Sequence, residues 1–236
     1  IHFMKKLDIQ VYELYGQSEG NGPTTTNRPG ANKIGTVGQA WPGSQVKLAE
    51  DGEIMLKGKN VFLGYYKNPE ATAETLVDGW LHSGDLGSFD PDGYLTITGR
   101  KKEIIITSGG KNIAPKNIEA ALKNLDLISE AVVIGEKRRF LTALLTLDEE
   151  AATKFASTHN LNSGSMHESG VLRDHLEKEI AEKVNSQFAR VEHVRGFKVL
   201  PRQFTVEDGE LTPTLKIKRR IIDENFSDEI EEMYEG

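Results

Sequence analysis

The sequence predicts an α+β protein, with a β-rich first half followed by a small domain of mixed helices and strands. The length of 236 residues corresponds to roughly one and a half typical domains of about 150 residues. Most of the 23 glycines lie before residue 100 and separate short β-type runs, which is typical of strands joined by tight turns. After Gly99, amphipathic helical runs alternate with apolar strands. We therefore expect one domain at 1–99 and a second at 100–236.

Composition narrows the classes of protein to which the chain can belong. Apolar residues make up 37% and charged residues 28%, which is enough apolar material for a packed core. The 29 Lys and Arg residues against 36 Asp and Glu residues give a net charge of −7, which disfavours nucleic-acid binding. The lack of cysteine excludes disulfides and thiolate metal sites, and the cytoplasm is the expected compartment. No apolar run approaches the roughly 20 residues of a transmembrane helix, and peripheral membrane association is left open.

The elements of the first domain follow from its turns. Asp51-Gly52 is a hairpin-turn dipeptide between two predicted strands, Val46–Leu48 and Glu53–Leu56. The turn at 90–93 precedes a further strand at Tyr94–Thr98. Asn68-Pro69-Glu70 opens a helix that continues through Ala71–Val77, because proline is tolerated in the first helical turn.

The second domain combines apolar strands with amphipathic helices. Its strongest helix signal is an unbroken i, i+4 apolar stripe, and its last predicted helix carries a second stripe. The residues of the two stripes are Leu172, Leu176, Ile180, Val184 and Phe188 in the first, and Ile222, Phe226, Ile230 and Met233 in the second. The remaining predicted elements are strands at 103–107, 131–134 and 141–147, a helix at 115–124 and a polar loop at 160–169.

Two patterns superficially suggest ligand-binding or metal-binding motifs, but we do not interpret either as a binding site. Residues 52–60 superficially match a P-loop, yet Asn60 stands where a Mg²⁺-binding Ser or Thr is required, so a strand leading into a basic turn is favoured. The six histidines lack paired metal-ligand spacing.

Two segments of the first domain are hard to explain as scaffold. Tyr15–Gly20 combines an aromatic ring, a hydroxyl and a carboxylate between glycines; the ring can stack on a base and the carboxylate can hold a hard cation. The alternative is a glycine-rich turn with a solvated Glu19. Trp80–Asp85 ends in an aspartate just before a predicted strand, where a carboxylate can accept hydrogen bonds from ribose hydroxyls. The alternative is that Asp85 caps a turn.

Two further segments carry clustered or isolated cations. Thr98–Glu103 is basic and coincides with the change of composition, as expected for a hinge, although a salt-bridged edge strand is the alternative. Leu211–Arg220 presents a lysine on a polar loop, and such a cation can neutralise charge on a transferring phosphoryl or carboxylate group. The alternative is a basic loop against the acidic segment 228–235.

In this order, the four segments resemble the adenylate-forming superfamily, specifically its AMP-forming long-chain fatty acyl-CoA synthetases. The resemblance covers essentially the whole chain and is carried by YGQSE, GYYKNPEATAET, WLHSGD, TGRKKEIIITSGGKNIAP and TPTLK. The long-chain subclass is suggested by GGKNIAPKNIE, AVVIGEKRRFLTALL and DEIEEMY.

The resemblance implies a nucleotide site in the first domain. Tyr15 is expected to stack on adenine beside Gly16, and Asp85 with Arg100 is expected to hold the ribose hydroxyls. Ser18 is expected to meet the phosphate or the acyl carboxylate.

The resemblance also implies catalytic and mobile parts. Glu19 is expected to ligate Mg²⁺, and Lys216 is expected to bridge the carboxylate and the α-phosphate, with Lys218 as its rival. Lys102 falls at the pivot, and Gly109 with Gly110 is expected to line the pantetheine path.

Two positions depart from the family pattern. Leu215 stands where many relatives have glycine before the lysine, and Gly99 precedes Arg100 where others have aspartate. No segment resembles the Ser/Thr/Gly-rich phosphate loop that relatives carry upstream. We therefore interpret 1–99 as the C-terminal portion of the large adenylation domain and 100–236 as the small mobile domain.

The implied activity is ATP-dependent ligation. A fatty acid is activated as acyl-AMP and transferred to coenzyme A, with ATP/AMP, Mg²⁺ and coenzyme A bound during the cycle, and the chain is expected to be inactive alone. The alternatives are another adenylate-forming enzyme, such as an aryl or short-chain acid ligase or a luciferase-like enzyme, and a non-catalytic nucleotide-binding module.

Overall fold

The computed structural model of the chain describes residues 1–235 and divides it into two compact units, Ile1–Glu103 and Ile104–Gly236. Each unit contains both helices and strands. The predicted α+β class is therefore confirmed. None of the described helices is long and apolar enough to cross a lipid bilayer.

The first unit begins with a short helix and a small antiparallel sheet. Helix α1 (His2–Lys6) is followed by strands β1 (Leu14–Gln17), β2 (Gly22–Thr26) and β3 (Gln39–Ala40), in the order β1-β2-β3. A single 3₁₀ turn, Ser18–Gly20, connects β1 to β2. Because this connection is short and β1 is an edge strand, the YGQSE motif lies at the edge of the sheet.

The second sheet of this unit is antiparallel and has five strands. They are β4 (Ser44–Leu48), β5 (Glu53–Gly58), β6 (Leu76–Val77), β7 (Trp80–Phe89) and β8 (Leu95–Arg100), in the order β4-β5-β7-β6 with β8 also paired to β7. The hairpin between β4 and β5 is confirmed, and Gly52 at its turn has φ +84°, which glycine adopts without steric cost. Residues 53–58 of the P-loop-like segment are therefore a strand, as expected.

The helix of the first unit is shorter than predicted. Helix α2 (Pro69–Thr75) is capped by the side chain of Asn68, which accepts a hydrogen bond from the Ala71 N–H. Leu76 and Val77 leave the helix because they pair with Leu81 and Trp80 of β7.

The prediction for residues 80–85 is wrong in one respect. Asp85 does not precede a strand but lies within β7, a ten-residue strand that continues to Phe89. Gly84 and Gly87 make the sequence resemble a turn, yet pairing with β5 on one side and with β6 and β8 on the other keeps the chain extended. The alternative interpretation, that Asp85 caps a turn, is therefore wrong.

The second unit contains two sheets and most of the helices. The strands are β9 (Ile105–Ile106), β10 (Asn112–Ile113), β11 (Ile128–Ile134), β12 (Leu141–Leu147) and β13 (Val194–Val199). The helices are α3 (Pro115–Leu122), α4 (Glu149–His159), α5 (Gly170–Glu179), α6 (Arg219–Asn225) and α7 (Ser227–Glu232). The main sheet has the order β11-β12-β13, antiparallel between the first two strands and parallel between the last two.

Apolar side chains cover both faces of this main sheet. On one face Val133 and Leu145 belong to the same cluster as residues of α3 and α5, including Ile118 and Leu176. The other face forms a separate cluster, which contains Val132, Leu144, Ile222, Phe226 and Ile230. Full burial of each large aliphatic side chain stabilises the fold by roughly 1.5 to 3 kcal/mol, so the sheet is held from both sides.

The longest apolar stripe does not continue as one α-helix. Helix α5 ends at Glu179, a π turn spans Ile180–Val184, and Phe188 has an extended backbone. A four-residue repeat drifts by about 40° per step in an α-helix of 3.6 residues per turn. The wider π turn offsets that drift, so that Leu172, Leu176, Ile180 and Val184 are all buried.

Other boundaries and elements also differ from the predictions. The last stripe is buried as predicted at Ile222, Phe226 and Ile230, but the helix is broken at Phe226. The predicted strands 94–98 and 103–107 are β8, at 95–100, and β9, at 105–106, and the predicted helix at 115–124 ends at Leu122. Helix α4 and strand β13 were not predicted, and the predicted loop 160–169 contains a 3₁₀ segment, Ser163–Glu168, whose Met166 is buried.

Candidate functional site

A buried carboxylate lies at the centre of the first unit's site. Asp85 on β7 stands opposite Arg100 on β8, and its Oδ1 accepts a hydrogen bond from Arg100 Nε at 3.1 Å. Its Oδ2 accepts a second bond from the Tyr15 hydroxyl at 2.8 Å. Asp85 is 8% exposed, whereas the Arg100 side chain is 56% exposed. The carboxylate is therefore oriented from two different sheets while its cationic partner faces solvent.

Tyr15 is part of the apolar core of the first unit. Its ring belongs to one cluster with Ile54, Leu56, Leu81 and Leu95, and the residue is 9% exposed. Burial raises the pKa of the Tyr15 hydroxyl above its ordinary value, so the hydroxyl stays protonated and donates to Asp85. The contact with Asp85 was not predicted from the sequence, and stacking of Tyr15 on adenine stays a prediction.

A second buried carboxylate supports the strand that carries Asp85. Glu53 on β5 is 5% exposed and accepts hydrogen bonds from Gly84 N at 2.9 Å and Lys101 Nζ at 3.0 Å, with His82 Nδ1 at 3.1 Å. Burial alone would raise the pKa of Glu53, but the bonds from His82, Lys101 and Gly84 outweigh it and lower the pKa.

Sequence reasoning did not identify Glu53, because its carboxylate is distant in sequence from the groups that it contacts. The available signal was a charged residue at a strand position whose neighbours, Ile54 and Leu56, are apolar and buried. Lys101 also pairs with Asp51 at 2.6 Å, which fixes the turn Lys101–Glu103 to the β4–β5 hairpin.

Glu19 and Ser18 lie on the 3₁₀ turn between β1 and β2. Ser18 is exposed, and Glu19 is half-buried with its Oε1 accepting a hydrogen bond from the Tyr65 hydroxyl at 2.8 Å. This bond raises the pKa of Tyr65. Tyr65 belongs to the GYYKNPEATAET motif, so the structure connects two of the motifs by a direct contact that the sequence did not predict.

Gly16 has a steric reason for being glycine. A Cβ atom at this position would lie 2.3 Å from the Gly22 carbonyl oxygen, which is far inside van der Waals contact. The β1–β2 pair also shifts register between Tyr15 and Gly16. The glycine therefore permits the close approach of the two strands.

The Glu19 carboxylate is suited to a hard cation that takes most of its other ligands from a substrate. The carboxylate supplies oxygen ligands, and its Oε2 accepts no hydrogen bond from the described residues. No group of three or more His, Asp or Glu side chains in the part of the chain that the structure describes could hold a metal ion alone. Mg²⁺ commonly binds through one or two carboxylates together with substrate phosphates and water, so a single glutamate is compatible with it.

In the second unit, Gly109 and Gly110 form an exposed turn after β9. The Gly110 N–H donates to the Thr107 carbonyl at 2.9 Å, and Gly110 has φ +72°. The Ser108 N–H donates to the Arg138 carbonyl, also at 2.9 Å. A Cβ atom at Gly109 would meet nothing closer than 4.0 Å, so this side of the turn is open.

The connection between β13 and α6 includes residues 211–218, which we call the lysine loop. This loop carries Lys216. Leu211 and Ile217 form an isolated antiparallel bridge, and the Lys216 N–H donates to Thr212 Oγ1 at 3.0 Å. Lys216 and Lys218 are both exposed. Leu215 has φ +58°, the left-handed conformation that favours glycine, at the position where many relatives have glycine.

The predicted site residues therefore fall into separate groups. Tyr15, Asp85 and Arg100 are joined by hydrogen bonds, whereas Ser18 and Glu19 lie on the adjoining turn after β1. The second unit holds Gly109, Gly110 and Lys216 on two different loops, and Lys102 is exposed in the turn that ends the first unit.

Models of protein families match both units. A model described as AMP-binding enzyme C-terminal domain matches residues 102–236, which is more than half of the chain. The chain belongs to the AMP-binding enzymes. A second model, described as AMP-binding enzyme, matches residues 1–66.

Curated relatives of this AMP-binding enzyme include long-chain-fatty-acid–CoA ligases. One from Mycobacterium bovis is 42% identical over 99% of the chain and 39% of its own length. Another from Bos taurus is 36% identical over 99% of the chain and 36% of its own length. The resemblance to AMP-forming long-chain acyl-CoA synthetases is thus confirmed. The chain spans about two fifths of the length of the curated relatives it matches.

Solved structures of AMP-binding enzymes share the fold. O-succinylbenzoate coenzyme A synthetase from Bacillus subtilis, solved in complex with ATP and a magnesium ion, is 26% identical with a TM-score of 0.69 over 93% of this chain and 42% of that chain. The adenylation domain of a carboxylate reductase from Mycobacterium chelonae has a TM-score of 0.75 over 100% of this chain and 36% of that chain. At 21% identity, the second similarity concerns the fold alone.

Proposed function

We propose that this chain forms part of an AMP-forming ligase that activates a long-chain fatty acid as acyl-AMP and transfers the acyl group to coenzyme A. The observation that carries the proposal is the buried Asp85 carboxylate, held by Tyr15 and Arg100 in a chain 42% identical to a long-chain-fatty-acid–CoA ligase. A relative whose structure contains ATP and a magnesium ion supports the choice of nucleotide.

In this proposal the first unit binds the nucleotide. The Asp85 carboxylate accepts hydrogen bonds from the ribose hydroxyls, because its bonds to Tyr15 and Arg100 hold it in one orientation before the ligand arrives. The exposed Arg100 guanidinium adds donors at the same edge. Tyr15 and Gly16 lie beside the adenine.

Adenylation joins two anions and therefore needs cations. A fatty-acid carboxylate oxygen attacks the α-phosphorus of ATP, the bond to the bridging oxygen breaks, and pyrophosphate leaves. Mg²⁺, when bound, neutralises phosphate charge. Glu19 supplies oxygen ligands for it, Ser18 donates to a phosphate or carboxylate oxygen, and the Lys216 ammonium offsets the charge between the approaching groups.

Thioester formation needs a different arrangement. The thiol sulfur of coenzyme A attacks the acyl carbon of acyl-AMP, the bond to the AMP oxygen breaks, and the thiol proton is released. Lys216 has no role in this step, whereas the open turn at Gly109 and Gly110 offers room for a pantetheine chain. We propose that 100–236 moves as a small domain about Lys102 between the two steps.

The reaction is tested by supplying different acids to the full-length ligase that contains this sequence. We expect ATP–pyrophosphate exchange with palmitate and thioester formation with coenzyme A, but no exchange with benzoate or acetate. Activity on benzoate or acetate alone would indicate an aryl or short-chain ligase, and ATP binding without exchange on any acid would indicate a non-catalytic module.

The 236-residue chain provides the matching control. It should not catalyse the exchange, because no segment of it resembles the phosphate-binding loop of the family. Robust exchange by the purified chain with palmitate would contradict this expectation.

Limited trypsin digestion of the same chain should cleave first around Lys102, which is exposed.

A further inference from the structure

The lysine loop has an exposed tip and is anchored by a charged side chain at each end. Thr212 N donates to the Lys216 carbonyl at 2.8 Å, so the tip closes on itself through backbone and hydroxyl contacts. Leu215 at the tip is 72% exposed. These bonds orient Lys216 relative to Thr212, whereas the direction of the whole tip depends on how residues 211 and 218 are held.

Glu210 is the anchor before the loop. Its carboxylate has an exposure of 0% and accepts two hydrogen bonds from Arg202, each at 2.8 Å, one from Thr205 N at 3.0 Å and one from Asn225 Nδ2 at 3.1 Å. Its backbone carbonyl accepts a bond from Lys218 N at 2.8 Å. One residue therefore secures both the start and the end of the lysine loop.

Arg219 is the anchor after the loop. Its guanidinium donates to the Val133 carbonyl on β11 at 3.1 Å and also to the Glu119 carboxylate on α3. Glu119 is 8% exposed and accepts a further bond from Val133 N at 2.8 Å. The loop thus ends on a charged group that contacts both a helix and the main sheet.

Burying the Glu210 and Glu119 carboxylates is costly, because each charge leaves water for a partly exposed arginine partner. Well-packed apolar groups of similar volume are often as stabilising as a buried ion pair, so a bidentate, fully bonded carboxylate such as that of Glu210 serves directional positioning better than it serves net stability. Glu210 touches neither substrate nor phosphate in the proposed reaction, and its contacts lie entirely within the second unit.

We propose that Glu210, held by Arg202, is a positioning residue that sets the direction of the lysine loop and so places the Lys216 ammonium for adenylation. The proposal rests on the proposed function for its catalytic consequence. Its structural consequence, an ordered lysine loop, is independent of any activity.

The structural consequence is tested on the 236-residue chain by hydrogen exchange of the Lys216 and Lys218 amides. We expect Glu210→Gln to speed exchange at these amides about tenfold or more, because the buried side chain loses the charge that pairs with Arg202, whose remaining carboxylate partner among the described residues is Asp208 at 3.5 Å. The matched control is Glu224→Gln, an exposed glutamate on α6 that pairs with Arg220 and should leave both amides unchanged. Should Glu210→Gln fail to fold, Asn225→Ala removes one donor to Glu210 and should give a smaller change in the same direction.

The catalytic consequence is tested in the full-length ligase by separating the half-reactions. We expect Glu210→Gln to lower kcat for palmitate-dependent pyrophosphate exchange about tenfold, with KM for ATP within about twofold of the unaltered enzyme. Thioester formation from supplied palmitoyl-AMP should stay within about twofold, since that step does not use Lys216.

The outcomes distinguish the two proposals. Unchanged amide exchange in Glu210→Gln and Asn225→Ala would overturn the positioning role, and so would an equal fall of both half-reactions. If the unaltered full-length enzyme performs neither half-reaction, the proposed function fails, while faster amide exchange in Glu210→Gln would still support an ordered loop.

Discussion

Asp85 and Lys216 have different roles in the proposed reaction, nucleotide binding and adenylation, and their structural surroundings differ as well. Asp85 lies inside a ten-residue strand, is 8% exposed, and is bonded from two sheets. Lys216 is exposed on a loop, where its backbone is bonded to Thr212 of the same loop. A group that binds the same ligand throughout a cycle gains from a fixed orientation. A cation needed for only one step must be able to leave, and in the proposed cycle the movement of the small domain removes it.

The largest expected effect comes from removing the mobile cation. Lys216→Ala should reduce pyrophosphate exchange by about a hundredfold or more, because one electrostatic contact that acts only while phosphate and carboxylate meet is lost. Thioester formation from supplied acyl-AMP should survive. Both half-reactions are measured in the full-length ligase.

Lys218→Ala is the matched control for Lys216. Its side chain is also exposed, and its contact with Glu210 is made by the backbone N–H, which the substitution preserves. If Lys218→Ala rather than Lys216→Ala abolished exchange, the catalytic lysine would be two positions further along.

Gly109→Leu should give the opposite pattern to Lys216→Ala. The space around Gly109 is open, so the leucine should fit in the free chain but obstruct the proposed pantetheine path. We expect thioester formation to stop while exchange continues. Equal loss of both steps would mean general destabilisation, and the melting temperature of the variant distinguishes that case.

The next effect concerns the fixed carboxylate. Asp85→Ala should weaken ATP binding by roughly 1 to 3 kcal/mol, since the ribose hydroxyls lose a buried acceptor. Asp92→Ala, at an aspartate whose side chain is 72% exposed, should leave the affinity unchanged. Titration calorimetry of the full-length enzyme measures both, and equal affinities in the two variants would remove Asp85 from the site.

A smaller effect should appear as a pH dependence of stability in the second unit. The bonds from Arg202 hold the pKa of Glu210 below its ordinary value of 4.5, so its stabilisation is complete above about pH 4.5. It is lost as the pH falls through the lowered pKa. The difference in free energy of unfolding between the unaltered chain and Glu210→Gln should therefore shrink below pH 4.5, as urea titrations can measure, and a constant difference would contradict the assignment.

The smallest effect concerns the tip of the lysine loop. Leu215 adopts a left-handed backbone conformation that costs most residues roughly 1 to 2 kcal/mol, and glycine avoids that cost but loses more conformational entropy on folding. Leu215→Gly should thus be more stable than Leu215→Ala by about 1 kcal/mol. Thermal unfolding of the two variants tests this, and a more stable alanine variant would contradict it.

Local patterns allowed much of the fold to be predicted. The Asp51-Gly52 hairpin, the strand Leu141–Leu147 and the buried stripe on α5 follow from turn chemistry and periodicity, which are local properties. Helix α4 was missed because only Phe155 and Ala156 along it are buried, which leaves a weak apolar pattern. Strand β13 was missed because its parallel pairing with β12 involves residues about fifty positions away.

The sequence motifs identified candidate residues of the site but not the contacts between them. Asp85 and Lys216 were identified from motifs, whereas the Tyr15–Asp85 bond joins residues 70 positions apart. Glu53 was missed because Lys101 lies 48 positions away, whereas Glu210 was missed although Arg202 is only 8 positions away, because both residues lie in an irregular segment without a periodic pattern. The burial of the two glutamates depends on Lys101 and Arg202, and only the tertiary structure brings these cations to them.

The π turn at Ile180–Val184 has a consequence for how relatives of this chain should be aligned. A π turn takes up one residue more than an α-helical turn of the same rotation. A relative with a regular α-helix here should therefore be one residue shorter between the equivalents of Leu176 and Val194. A single-residue gap in this stretch would reflect a change of helix type rather than a lost contact, and the buried stripe on either side would stay in register with the sheet.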